Sequence, residues 1–255
     1  MKNKKLIAEK LFHTHLGQPV EKIGKYILLC NSQDYVDKFA QKFKVKVTTG
    51  FVMPSATFEG ITIINFGTGS PRAAAIMDLL LAVKPNAVLF LAECGGLKKK
   101  SSVGDLILPI GAIRGERTSD DYFPPEVPAL PAFALHKVVA EIIGRTGAAY
   151  LTGTVYTSNR LIWAHDEVFK DHLKKVQALA TDMETATIFI AGFRNKIPTG
   201  ALLLVSDLPM VSSEIKTAVS SSTVTTKFGS KHLEIGILSL GFLINHGVKV
   251  RHLKF

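Results

Sequence analysis

ATDMETATIFIAGFRNKIPTGALLLVSD, residues 180–207, holds the two pieces of secondary structure that decide the fold. Thr181-Asp182-Met183-Glu184-Thr185 leads into an apolar run through Ala186, Ile188, Phe189, Ile190, Ala191 and Phe193. Carboxylates are favoured at a helix N-terminus, and a helix that is apolar all round must be covered on both sides, so this run reads as a buried helix. After Pro198, a continuous apolar run from Ala201 to Val205 ends in Ser206-Asp207, the pattern of a short strand buried on both faces of an α/β sheet. A helix start and a strand end therefore each present a carboxylate, Glu184 and Asp207, where open α/β sheets build ligand crevices. Either acid alone reads equally as a cap or a dipole partner. Together they suggest two acids facing one small molecule.

The rest of the chain supports one domain spanning residues 1–255, with residues 1–25 as a helical extension. A chain of 255 residues can bury one substantial core, and 47% hydrophobic with 20% charged residues is a globular rather than a disordered composition. The apolar residues of the first 17 positions are interrupted by Glu9 and Lys10, which leaves no signal-peptide core. No apolar run reaches membrane-spanning length, and a cytoplasmic location without membrane partners is expected. Cys30 and Cys94 are too isolated for a disulfide framework, and His13 and His15 have no partners at ligand spacing, so neither a metal nor another cofactor is expected. The net charge of +10 comes without basic–aromatic interleaving, which argues against a nucleic-acid partner and for a field that attracts a small anion.

Tyr26 to Cys30 reads as a buried strand, followed by a helix through Tyr35, Val36 and Phe39. Residues 44–48 and 61–66 read as two strands flanking a turn region. Gly67-Thr68-Gly69-Ser70-Pro71 then hands a strand to a helix, with Ser and Pro as helix-start residues whose free N–H groups can hold an anion. It is not a dinucleotide fingerprint, because Arg72 stands where the third glycine would fall. Residues 87–92 read as a strand running into Glu93-Cys94-Gly95-Gly96, where paired glycines imply a tight turn or a close approach to ligand. Pro109 within the strand at 105–113 implies an edge or a bend. The proline-rich segment 114–131 reads as a stiff excursion, either a wall of the site or a subunit contact. Trp163, after the strand at 151–157, can stack on a ligand base or pack in the core. Residues 208–229 contain nine Ser or Thr and read as a long loop leaving Asp207.

With these pieces placed, the chain resembles the nucleoside phosphorylase and nucleosidase superfamily, and within it the branch that cleaves AMP. The Met183-Glu184 and Ser206-Asp207 pairs, the Gly67–Pro71 loop and Cys94-Gly95-Gly96-Leu97 carry the superfamily resemblance. Pro124-Pro125-Glu126-Val127-Pro128, Gly153-Thr154-Val155 and Glu214-Ile215-Lys216 carry the branch. The resemblance implies a mixed β-sheet flanked by helices in a nucleoside phosphorylase-like three-layer sandwich, assembled as a dimer-based homo-oligomer of up to six chains. It implies hydrolysis of AMP to adenine and ribose 5-phosphate. Met183 would lie beneath the sugar, Glu184 would accept from its 2′- and 3′-hydroxyls, and Asp207, beside Ser206, would protonate purine N7. Gly67, Thr68, Gly69, Glu93, Cys94, Gly95 and Trp163 would line the substrate.

Phosphorylases of this superfamily hold inorganic phosphate with arginines after the first strand and before the Cys-Gly turn. The corresponding segments here, Asn31-Ser32-Gln33-Asp34-Tyr35 and Phe90-Leu91-Ala92-Glu93-Cys94, contain no arginine, so water is the expected nucleophile. A 5′-phosphate would be met by Lys216 and Arg160, or by Arg72. The chain departs from its close relatives at Glu93, where they generally carry a basic residue, and at Thr68, where they carry methionine. Cleavage or phosphorolysis of unphosphorylated purine nucleosides, and a nucleotide-binding sensor, are the alternatives that these departures leave.

Overall fold

The computed structural model describes residues 2–211 and 218–251. In chain order the elements are α1 (Lys2–Leu16), β1 (Tyr26–Cys30), α2 (Gln33–Phe43), β2 (Ser55–Phe58), β3 (Ile61–Asn65), α3 (Ser70–Leu79), β4 (Ala87–Gly96) and β5 (Leu106–Arg114). There follow α4 (Phe133–Arg145), β6 (Tyr150–Thr157), α5 (Glu167–Lys175), β7 (Ala180–Asp182), α6 (Thr185–Asn195), β8 (Thr199–Asp207), α7 (Ala218–Lys227) and α8 (Gly229–Asn245).

Period-two alternation along the central strands builds two apolar faces and so three layers. Ile27, Leu29, Val88, Phe90 and Leu203 meet Phe12 and Leu16 of α1, Ile76 and Met77 of α3, and Ile188 to Ile190 of α6. The intervening Leu28, Leu89, Leu91, Leu202 and Leu204 meet Tyr35, Val36 and Phe39 of α2, Leu135 and Val139 of α4, and Leu233 and Leu240 of α8. Phe12 and Leu16 have no exposed surface, so the N-terminal helix is part of the central core. Phe189 is equally buried, and truncating it to Ala would cost about 3–5 kcal/mol.

The eight strands run in the order β2-β3-β1-β4-β7-β6-β5-β8, and β4 also pairs with β8. Strands β4, β8, β5, β6 and β7 therefore close into a ring, while β1, β3 and β2 extend from β4 as an open sheet. The sheet is mixed: β1, β3, β4 and β8 are parallel, whereas β2 is antiparallel to β3 and β7 to β4. The ends of β4 and β8 thus open on the same side, next to the start of α6.

Three local expectations change, and a fourth, at Pro109, resolves to one of its two alternatives. Residues 44–48 form no strand: Lys44 ends α2 in the left-handed region at φ 54°, Val45 and Val47 pack against the core, and only Thr48 bridges to Ser55. Gly95 and Gly96 are not in a turn but continue β4, because added Cβ atoms would lie 2.9 Å from Pro209 Cγ and from Leu208 Cδ2. Pro109 sits at an interior register shift between β5 and β6, so the strand bends there. Part of the expected loop at 208–229 is helical, as α7, where packing of Val224 against the core overrides the poor helix propensity of Ser and Thr.

Candidate active site

Gly95 is the junction of the site. In register it pairs with Asp207 of β8 on one side and with Thr181 of β7 on the other. The segments carrying Asp207 and Glu184 are therefore held against the same end of β4. Ser206 Oγ donates to Asp207 Oδ1 at 2.8 Å and also lies 3.4 Å from the carbonyl oxygen of Cys94, which ties the end of β8 to β4. Cys94 is buried and Asp207 half-buried.

Glu184 occupies the N-cap position of α6, yet its side chain does not cap that helix. Asp182 does so instead: its Oδ2 accepts from the N–H groups of Thr185 at 2.7 Å and Glu184 at 3.2 Å, while Oδ1 accepts from Thr157 Oγ1 at 2.7 Å. Glu184 is left to reach across to the glycine loop, where Oε1 accepts from the N–H of Gly69 at 2.7 Å. Ser70 Oγ donates to the carbonyl of Met183 at 2.7 Å, a second tie between the same segments. The Asn31 amide, just past β1, also donates to Glu184.

Both acids are buried, Glu184 with only 1% of its surface exposed. Burial and then the neighbouring Asp182 charge push Glu184 up to about 8. Burial raises Asp182 as well, against the bonds donated by Thr185, Thr157 and Glu184. With those donors around Asp182, the proton that the pair retains at neutral pH belongs on Glu184. A ligand hydroxyl that donates to Glu184 would favour its charged form.

The glycine loop is shaped by Gly67 and Gly69, with φ of 81° and 101°. Gly67 N–H donates to Asn65 Oδ1, and Arg72 Nη1 folds back to the carbonyl of Phe66, 2.7 Å from where a Gly67 Cβ would stand. Thr68 is exposed at the loop tip and Met183 is half-buried.

On the opposite face of β4, half-buried Glu93 accepts from Thr225 Oγ1 of α7 at 2.6 Å. The carbonyl of Thr225 is in turn held by Lys38 Nζ at 2.8 Å, and Lys38 pairs with Asp34 at 2.7 Å. Glu93 also lies close enough to affect Tyr35 and His232 electrostatically. His232 Nε2 lies 2.8 Å from the carbonyl of Leu202, which can only accept, so Nε2 carries the hydrogen and Nδ1 accepts from Tyr35 at 2.7 Å. Burial lowers His232 to about 4 and keeps it neutral.

The remaining expected residues are placed as follows. Arg160 pairs with Asp166 at 2.9 Å and lies over the Phe169 ring, with 42% of its side chain exposed. Trp163 is buried in a small cluster with Leu97, Tyr156, Leu173 and Ala178, in the role of core packing. Lys216 lies outside the described residues. The proline-rich segment packs on the α3 and α6 side, where Phe123 stacks on Phe193 at 5.0 Å. It is fastened by buried Arg114, which donates to Ser119 Oγ, Asp120 Oδ1 and the carbonyls of Phe123, Pro124 and Val127. No local sequence pattern assigns a role to Asn31 or Asp182. Asn31 had one signal, its place as the first polar residue past a buried strand. Among the described residues, no three His, Cys, Asp or Glu side chains are grouped to hold a metal, and no helix is long and apolar enough to cross a membrane.

A mixed sheet partly closed into a ring, with the Ser206-Asp207 and Met183-Glu184 segments held against one strand end, defines an α/β protein whose two acids meet where such sheets bind ligands. Residues 25–231 match the phosphorylase superfamily, and the chain belongs to that family. It is similar to an AMP nucleosidase of Escherichia coli (strain K12), at 32% identity over 212 residues covering 78% of this chain and 43% of that protein. The chain thus spans less than half the length of that relative. It is 25% identical to a uridine phosphorylase of Treponema pallidum over 217 residues, covering 79% of this chain and 84% of that protein. A crystal structure of an AMP nucleosidase from Bacteroides thetaiotaomicron superposes with a TM-score of 0.86 at 43% identity, covering 96% of this chain and 99% of the other.

Proposed function

We propose that this chain hydrolyses the N-glycosidic bond of AMP, giving adenine and ribose 5-phosphate. The observation that carries the reading is the junction at Gly95, which holds the Ser206-Asp207 and Met183-Glu184 segments against one strand end. The similarity to two AMP nucleosidases supports the substrate.

Adenine is a poor leaving group until N7 is protonated, and Asp207 is assigned as the general acid at that atom. As the bond from C1′ to N9 lengthens, positive charge grows on the sugar. Glu184 accepts from the 2′- and 3′-hydroxyls and stabilises that charge once it has ionised, with Met183 under the ring. Arg160 and Lys216 are assigned to the 5′-phosphate, where Arg160 would exchange its pairing with Asp166 for the ligand. The segment around Glu93 holds no arginine to clamp free phosphate, which favours water as the nucleophile. The active form is read as a cytoplasmic homo-oligomer, and exposed Leu161, Ile162 and Val168 offer apolar surface for such contacts.

Adenine release from AMP, adenosine and methylthioadenosine, each with and without phosphate, tests the reading. Release from AMP independent of phosphate is expected, and Asp207→Asn should abolish it while retaining AMP binding. Release only from unphosphorylated nucleosides would replace AMP as the substrate, and binding of AMP without any release would make the chain a sensor.

A further inference from the structure

We infer that Glu93 is the general base that deprotonates the attacking water, and that its charge also keeps inorganic phosphate out of the nucleophile position. The inference rests on the hydrolytic reading above and adds the residue which that reading lacks. Hydrolysis of a glycosidic bond needs a proton for the leaving base, stabilisation of the sugar cation and removal of a proton from water. Asp207 and Glu184 are assigned to the first two tasks.

The third falls to Glu93, a carboxylate on the same strand as the Gly95 junction. Strand β4 lies between β1, whose following residue Asn31 holds Glu184, and β8, which ends in Asp207. Adjacent strands are about 4.8 Å apart, so Glu93 of β4 and Asp207 of β8 lie on neighbouring parallel strands, with Glu184 held by Asn31 from the β1 side. Glu93 continues the face of Leu89 and Leu91, which pack toward α2 and α8, whereas Cys94 packs on the opposite face with α3 and α6. Glu93 and the Gly69-bound Glu184 thus flank the strand end from opposite faces of the sheet.

Thr225 orients the carboxylate by donating to Oε1 at 2.6 Å, and Lys38 anchors Thr225 through its backbone carbonyl. In the step itself, one water proton passes to Glu93 as the water oxygen bonds to C1′. The electron pair of the C1′–N9 bond goes to the purine, which takes the Asp207 proton at N7. A carboxylate at this place repels phosphate dianions and can accept a proton from neutral water, so one group serves both rate and choice of nucleophile.

The experiment begins with the wild-type chain on AMP, since absence of adenine release there would refute the underlying reading before any variant is made. Given release, Glu93→Gln should lower turnover by about two to three orders of magnitude, with AMP affinity by equilibrium dialysis within a few-fold. Azide, which needs no deprotonation, should restore adenine release and yield the ribosyl azide 5-phosphate. Glu93→Ser is the second variant, and formate should rescue it by supplying the missing carboxylate. Thr225→Val, which removes the orienting bond and keeps the base, should lose less turnover than Glu93→Gln. Wild-type turnover in Glu93→Gln would overturn the inference. So would failure of both rescues alongside an equal loss in Thr225→Val, which would make Glu93 a strut that fastens α7.

Discussion

Glu184 Oε1 accepts a 2.7 Å hydrogen bond from the N–H of Gly69, a residue 115 positions earlier that sits at φ 101° and ψ 150°. The contact joins a buried acid to a backbone conformation that only glycine adopts without strain. It makes ionisation of the site dependent on the shape of a loop.

Glu184→Gln should separate stability from activity. The native pKa is raised from an ordinary 4.5 to about 8, so the folded protein retains a proton that the unfolded chain has released. Its contribution to stability is complete below about 4.5 and is lost as pH rises through about 8, at up to about 1.4 kcal/mol per pH unit. Glutamine has no such loss. Chemical denaturation should show the variant gaining on wild type from pH 5 to 8 and holding a constant advantage above it, while adenine release from AMP falls at least a hundredfold.

Gly69→Ala tests the loop. A Cβ there meets nothing nearer than Pro71 Cδ at 3.9 Å, so the cost is backbone strain alone, about 1–3 kcal/mol. Shifting the N–H away from Glu184 removes a bond that favours the charged acid. The rising limb of kcat/KM against pH, expected near 8 in wild type, should move to higher pH.

Arg114→Ala should destabilise the fold by about 3–5 kcal/mol, because it leaves Asp120 and three carbonyls without a nearly buried guanidinium. Limited proteolysis should then cut within residues 115–131 before the rest of the chain. Arg114→Lys, with a single donor group, should fall between the two.

Arg160→Ala should raise KM for AMP about tenfold, the equivalent of about 1.4 kcal/mol, and leave turnover of adenosine unchanged if adenosine is cleaved at all. An unaltered KM for AMP would limit Arg160 to its bond with Asp166. Lys216→Ala, measured in parallel, gives the second cation its own value.

Much of this arrangement was legible in the sequence because long apolar runs with clear ends identify buried elements. The run after Glu184 became α6, the run after Pro198 became β8, and the run from Tyr26 to Cys30 became β1. Gly95-Gly96 was ambiguous because glycine marks both turns and crowding, and the side chains that crowd it, Leu208 and Pro209, come from over a hundred residues away. The serine- and threonine-rich stretch hid α7, whose helix owes more to its packing than to its residues. The two-acid geometry was visible as positions but not as chemistry. That Asp182 caps α6 and frees Glu184 to meet Gly69 depends on contacts no local pattern encodes.

The closed ring of five strands also dictates when the site can exist during folding. β1, β3 and β4 are drawn from the first hundred residues and can pair as that part of the chain emerges. Ring closure must wait for β8, whose Ser206 meets Cys94 across 112 residues. Pairings between distant segments are slow to form because the intervening chain must first be ordered. The last strand to enter the ring is also the one that delivers Asp207. Catalytic competence should therefore appear only in the final phase of refolding, after most helical signal has returned, and a nascent chain shorter than about 207 residues carries Glu184 without Asp207.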